Sequence, residues 1–284
     1  MAQLENMFAT PKLTAAQART LIATAKRITG VAVSEDKIPF LELRVGRRLR
    51  ELNCRDFESY IDMLRGSEGE VEARYLAEAL TTHTTSFFRE KLHYDWLTNE
   101  GLSALLENGA GRDHKLTVWS AACSLGSEMW TAAIVLDQFA RNLPGGMSWD
   151  VVGTDVSRQI LRRASAAIFT EDQISGLPDA LRRVYLMHSR GAPRIYRVVP
   201  ELRSRARLCW ANLVDLDPRL SITADVVFLR NVLIYFQPED QLRAVAGVVS
   251  RLRTGGYLMT GHSESLSDLP GNLRQIAASI YQKV

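Results

Sequence analysis

Residues 115–140, KLTVWSAACSLGSEMWTAAIVLDQFA, decide the fold. The part from Leu116 to Ala122 is β-branched, aromatic and apolar on both faces, the pattern of a strand buried inside a parallel sheet. Cys123, Ser124 and Gly126 then form a small-residue turn, compact enough for backbone to approach a ligand. Ser127 and Glu128 open an apolar-periodic segment of helical repeat. A strand, a tight turn and a helix start present unpaired N–H groups to something anionic, so this is where a cofactor is expected.

Working outward on the carboxyl side, the NLPGGMS turn leads into WDVVGTD, residues 149–155, a second buried strand ending in an acid. An acid at the tip of the second strand of a doubly wound sheet is placed to accept hydrogen bonds from ribose hydroxyls. Nicotinamide and adenosylmethionine enzymes both use that device. The turn ACSLGSE is not GxGxxG, and Asp155 lies beyond the spacing of about 20 residues of a dinucleotide fingerprint, which favours a nucleoside cofactor without pyrophosphate. The other reading of Asp155, an acid that merely ends a strand, stays open on spacing alone.

Farther on, residues 160–168 read as helix. Between 182 and 207 eight arginines face only Glu201, a local charge of +7. Alternation at 195–199 and 206–210 predicts a small hairpin outside the main sheet, and the charge fits a polyanion or an acidic protein helix. The block ADVVFLRNVLIYFQPEDQ supplies a buried strand at 225–229, with Arg230 and Asn231 at its carboxyl end. A helix then starts at Pro238 with acids in its first turn, and Tyr235 lies in the connection. Gly255 and Gly256 lead into the strand YLMTGHSESL, and residues 280–284 are expected to be the last, edge strand.

Toward the amino end, residues 14–29, 38–52, 56–64 and 70–80 carry apolar residues at helical spacing, a small helical domain. Its second helix holds Arg44, Arg47, Arg48 and Arg50, with Arg55 beyond; against Glu51 the local charge is +4. This is either a solvated face or a docking surface for an acidic partner. TTHTTSFFREKLHYDWL then forms a polar connector that Phe87 and Phe88 anchor, with Arg89 at the domain boundary and helix expected over 88–106.

The whole chain of 284 residues is 46% hydrophobic and 24% charged with net charge +3, ordinary for a globular protein and too weakly basic to imply nucleic acid. Its start lacks the apolar run of a signal peptide and no stretch is long enough to span a bilayer, so a cytoplasmic place without membrane insertion is expected. Cys54, Cys123 and Cys209 are odd in number and far apart, suggesting neither a disulfide framework nor a zinc site.

Taken together, VGRRL, TxFFR, VWSAACSxGxE, the TD pair at Asp155, ANL at Asn212, RNVLIYF and GGYLxxGHSES resemble the chemotaxis receptor methyltransferases, the CheR family, over nearly the full length. The resemblance implies an α/β fold: a Rossmann-like class I methyltransferase domain (81–284) with an inserted small β-subdomain at about 185–210, preceded by a small all-α domain (1–80) for receptor docking. It implies methyl transfer from S-adenosylmethionine to glutamate carboxylates of chemoreceptors, with S-adenosylhomocysteine as product and no metal. The receptor's helical cytoplasmic region would be contacted by the basic helix and the basic β-subdomain.

By the same resemblance His83, Thr85, Arg89, Glu128, Asp155, Asn212, Leu213, Arg230 and Asn231 match cofactor positions, and Arg89 and Tyr235 match the two residues near the transferred methyl. The chain departs from the family where His83 replaces Asn and where Gly126-Ser127-Glu128-Met129-Trp130 replaces GEEPY, which bears on cofactor affinity. MHSRGAPRIYRV is shorter than a pentapeptide-binding loop and holds only Gly191, so no pentapeptide tethering is expected. Two readings from other classes are a non-catalytic regulator that binds the cofactor and a nucleic-acid methyltransferase. The second lacks both an Asn/Asp-Pro-Pro-aromatic motif and a Pro-Cys nucleophile.

Overall fold

A computed structural model describes residues 12–30, 38–67, 69–80, 85–266 and 270–284. The chain forms two compact units, residues 1–82 with 235–237, and residues 83–234 with 238–284.

In the first unit four helices run over Ala15–Thr29, Ile38–Glu51, Phe57–Arg65 and Gly69–Leu80. Their limits follow local chemistry. Thr14 and Gln17 close a capping box, Gly30 ends the first helix at φ 74°, and Asp56 accepts the Ser59 N–H. The apolar stripes meet in a core that includes Leu21, Leu41, Val45, Tyr60 and Leu76. Within it Glu72 accepts from Arg48 Nε and Nη2 at 2.9 and 2.8 Å and from the Tyr60 hydroxyl at 2.7 Å. Arg48 is therefore held inside the bundle as a fork on a buried carboxylate, with its guanidinium 4.3 Å from the centre of the Tyr75 ring. Arg44, Arg47 and Arg50 on the same helix are exposed.

The second unit is built on a seven-stranded sheet. Its strands are β1 (Leu116–Ala121), β2 (Trp149–Asp155), β6 (Ala206–Trp210), β7 (Ala224–Leu229), β8 (Leu252–Thr260), β9 (Leu273–Ala277) and β10 (Ile280–Lys283), in the order β6-β2-β1-β7-β8-β10-β9. The first five are parallel; β10 runs antiparallel to both β8 and β9. Strand order reverses at β1, which pairs Val118 with Val151 of β2 and with Val226 of β7. A crevice at the carboxyl ends of the strands beside such a reversal is where open α/β sheets bind ligands. Helix Ser127–Arg141 is buried from Met129 to Leu136, because it covers a sheet whose strands are apolar on both faces.

A separate three-stranded antiparallel sheet is made by β3 (Ile168–Thr170), β5 (Ile195–Val198) and β4 (Leu186–His188), in the order β3-β5-β4. This corrects the expected hairpin: residues 195–198 belong to the small sheet, but 206–210 form an edge of the main one. All five residues of this strand are at least partly exposed, as suits an edge, and it carries the exposed Arg207.

Two further expectations change. Residues 280–283 are not an edge: Ile280 and Tyr281 are buried because β10 lies between β8 and β9, and the edge is β9, with exposed Arg274 and Gln275. Residues 88–106 are not one helix. They form a turn at 87–91, then Leu92–Trp96, a π-helical Leu97–Gly101 and Leu102–Glu107. Phe88 and Glu90 stand at φ 53° and 54°, and the backbone groups a helix would use are taken elsewhere: the Phe88 N–H donates to Thr131 Oγ1 and the Arg89 carbonyl accepts from Arg230. Phe87 does anchor this stretch, packing edge to face on Phe169 at 5.0 Å.

Candidate functional site

The turn after β1 has left-handed backbone at Ala122, Ser124 and Gly126, with Gly126 at φ 90° directly before the helix. It is closed by the Gly126 N–H to the Cys123 carbonyl at 2.9 Å and tied to β2 by the Cys123 N–H to the Thr154 carbonyl at 2.8 Å. Beside it, Asp155 is 6% exposed at the carboxyl end of β2. Its Oδ2 accepts the Ser124 N–H and its Oδ1 the Ser157 N–H, each at 2.9 Å. Burial pushes the Asp155 pKa up, and these N–H groups oppose that shift. Each oxygen keeps further lone-pair capacity, so the carboxylate suits a pair of adjacent hydroxyls such as a ribose offers. The Ala211 N–H donates to the Asp155 carbonyl at 3.1 Å, which brings Asn212 and Leu213 alongside. Asn212 Oδ1 accepts the Val214 N–H at 3.1 Å, and Leu213 is buried.

A second cluster lies at the end of β7. The Arg230 side chain is 1% exposed. Its Nε donates to Glu128 Oε2 at 2.7 Å, and its Nη1 to the Arg89 carbonyl at 2.8 Å and to His93 Nδ1 at 3.1 Å. Its Nη2 donates to the Tyr94 hydroxyl oxygen at 3.3 Å. Glu128 Oε1 accepts from Ser120 Oγ at 2.6 Å. Burial works against the arginine's charge, but Tyr94, Glu128 and Glu90 outweigh it and its pKa is raised. Burial and the Arg230 charge together lower His93 to about 4. It is therefore a neutral imidazole, and accepting at Nδ1 places its proton on Nε2. Asn231, at φ 56°, donates from Nδ2 to Glu90 Oε1 at 3.2 Å.

Of the residues singled out from sequence, Glu128, Arg230, Asn231 and the Arg89 backbone come together here, and Asp155, Asn212 and Leu213 form the neighbouring cluster. The Arg230 guanidinium is taken up by protein groups and ties the Arg89 turn to the glycine turn. Thr85 is half-buried in the connector. Tyr235 is half-buried at the end of the short turn Leu233–Tyr235 that follows β7. His83 lies outside the described residues. Glu90, His93, Tyr94 and Glu264 were not singled out; Glu264 stood in the quoted GHSES motif without a role, and nothing local marks it as buried.

Glu90, His93 and His262 also bring three ligand-type atoms within 4.8 Å of one another. Arg230 Nη1 lies 3.1 Å from His93 Nδ1 and 3.6 Å from Glu90 Oε2, so a cation already stands there and would repel a metal ion.

A doubly wound sheet of this order, with a glycine turn after β1 and a buried acid ending β2, defines a methyltransferase of the Rossmann-like, nucleoside-cofactor class. Residues 83–282 match the family described as CheR methyltransferase, SAM binding domain, and residues 16–81 its all-alpha domain. The chain belongs to the CheR methyltransferase family. It is 31% identical to the chemotaxis protein methyltransferase of Borreliella burgdorferi over 255 residues, 89% of each chain. It is 30% identical to chemotaxis protein methyltransferase 2 of Pseudomonas aeruginosa over 257 residues, 90% of this chain and 88% of that one. It is 31% identical to the Salmonella typhimurium protein over 241 residues, 84% of this chain and 80% of that one. Among the described residues no helix is long and apolar enough to cross a membrane.

Proposed function

We propose that the protein esterifies glutamate side chains in the cytoplasmic helical region of methyl-accepting chemoreceptors. The observation that carries this reading is the buried Glu128–Arg230–Arg89 linkage beside Asp155, in a chain of the CheR family. S-adenosylmethionine supplies a methyl on a sulfonium sulfur: a carboxylate oxygen forms the new bond to that carbon while the carbon–sulfur pair returns to sulfur. A glutamate of pKa about 4.3 is already ionised at neutral pH, so no strong base is needed.

The chain's own groups hold and align. Asp155 holds the ribose hydroxyls, with Asn212 and Leu213 beside the base. Glu128 and Arg230 fix the floor and the Arg89 turn, whose two left-handed residues cost energy and persist because side chains hold them. Arg89 orients a carboxylate and Tyr235 hydrogen-bonds near the methyl, roles taken from the family match. Alignment in a dry pocket can lower such a barrier by roughly 7 to 11 kcal/mol. Arg44, Arg47 and Arg50 steer an acidic receptor helix, Arg48 being held by Glu72. The connection from β4 to β5 spans only residues 189–194, which supports docking without a pentapeptide tether.

The test is transfer of labelled methyl from S-adenosylmethionine to a chemoreceptor cytoplasmic fragment. Arg89→Ala and Tyr235→Phe are each expected to lower turnover at least tenfold; full turnover in both contradicts the assigned roles.

A further inference from the structure

The strand β8 leads into the turn Gly261-His262-Ser263-Glu264, which is held by hydrogen bonds at the carboxyl edge of the sheet. The Glu264 N–H donates to the Gly261 carbonyl at 2.8 Å, and the Glu264 side chain folds back so that Oε2 accepts the Gly261 N–H at 2.9 Å. The same oxygen accepts the Asn231 N–H at 2.6 Å, and Oε1 accepts the Ile234 N–H at 3.2 Å. One buried carboxylate thus locks the turn to the loop after β7. A Cβ on Gly261 would lie 2.6 Å from Glu264 Oε2 and 2.7 Å from Asn231 Nδ2, so a side chain there would displace the groups that hold the turn. What this turn presents is His262, exposed, its ring edge to face with buried His93 at 5.1 Å and within reach of Glu90.

Charge says what an exposed imidazole does there. Close by, the carboxylates of Glu90 and Glu128 flank the Arg230 guanidinium, and the Glu264 carboxylate anchors the turn that carries His262. That balance suits a cationic sulfonium but repels an incoming carboxylate, which needs donors. Arg89, next in chain to Glu90, is one such group. His93 is not another, being buried and already bonded to Arg230 at Nδ1.

We propose that His262 is a substrate-contacting residue, donating an N–H to the oxygen of the glutamate carboxylate that does not attack the methyl. The assignment rests on the glutamate-methylation reading. No proton changes hands: one oxygen forms the ester bond, and the other is held in line by His262.

The experiment compares wild type, His262→Ala and His262→Gln in two measurements: calorimetric affinity for S-adenosylhomocysteine, and kcat and KM for methylation of a chemoreceptor cytoplasmic fragment. Hydrogen bonds to charged groups predict a fall of about 10- to 100-fold in kcat/KM for His262→Ala. Partial recovery is expected in His262→Gln, which keeps a donor, and cofactor affinity should stay within about twofold of wild type. Wild-type kcat/KM in His262→Ala overturns the proposal, as does loss of cofactor affinity in parallel with activity. If wild type binds S-adenosylhomocysteine but esterifies no receptor glutamate, the underlying reading fails and the assignment falls with it.

Discussion

Replacing Arg230 by Met tests the linkage that organises the site. The guanidinium is 1% exposed and Glu128 and Glu90 are 12% and 13% exposed at their side chains, so removing it leaves two carboxylates with little access to water. Glu128 would keep only the Ser120 hydroxyl, and the Arg89 carbonyl and His93 Nδ1 would lose their donor. Breaking a buried pair from one side costs about 3 to 5 kcal/mol. Adding Glu128→Gln should return part of that loss, because it removes the stranded charge; a coupling of about 1 to 3 kcal/mol is expected from the double-mutant cycle. All five tryptophans, residues 96, 119, 130, 149 and 210, lie in the second unit, so their fluorescence during urea unfolding reads that unit alone. A loss below about 1 kcal/mol in Arg230→Met, or strict additivity in the cycle, refutes the assignment of Arg230 as the buried tie.

His93 gives a pH dependence of defined sign. Its pKa is about 4 in the folded chain against 6.5 ordinarily, so the unfolded chain binds the proton first and stability falls as pH drops from 6.5 to about 4. At about 1.4 kcal/mol per pH unit the loss approaches 3 kcal/mol, and His93→Asn should lack that slope when both are unfolded in urea across the range. In the helical unit, Arg48→Met strands the buried Glu72 carboxylate, which keeps the Tyr60 hydroxyl but loses its cation. It should destabilise that unit by about 2 to 4 kcal/mol, read by hydrogen exchange of its helices, whereas Arg47→Met should change it by less than about 0.5. A receptor C-terminal pentapeptide should give no detectable heat on titration, and tight binding would contradict the untethered mode of docking.

The central strands were legible because β1, β2 and β7 are short apolar runs bounded by turn residues, and the helices of the first unit because their stripes and caps agree. Asp155 could be placed at the tip of a strand from its position alone. The parts that misled share a cause. Residues 206–210 and 280–283 carry strand patterns, but whether a strand lies at an edge or between neighbours is set by partners distant in sequence. The turn at Phe88–Glu90 defeats a helical reading because Arg230, 141 residues away from Arg89, takes the carbonyl that the helix would have used. Glu264 and His93 look like ordinary surface residues in sequence; only the pairing of β7 with β8 and the burial of Arg230 give them work.

The most direct measurement of the central claim is transfer of radiolabelled methyl from S-adenosylmethionine to a chemoreceptor cytoplasmic fragment, followed by brief alkali. Glutamate methyl esters release volatile methanol under those conditions, and the release should depend on the protein and vanish in Asp155→Ala. Label that survives alkali, or no transfer by a folded protein that binds S-adenosylhomocysteine, contradicts the account.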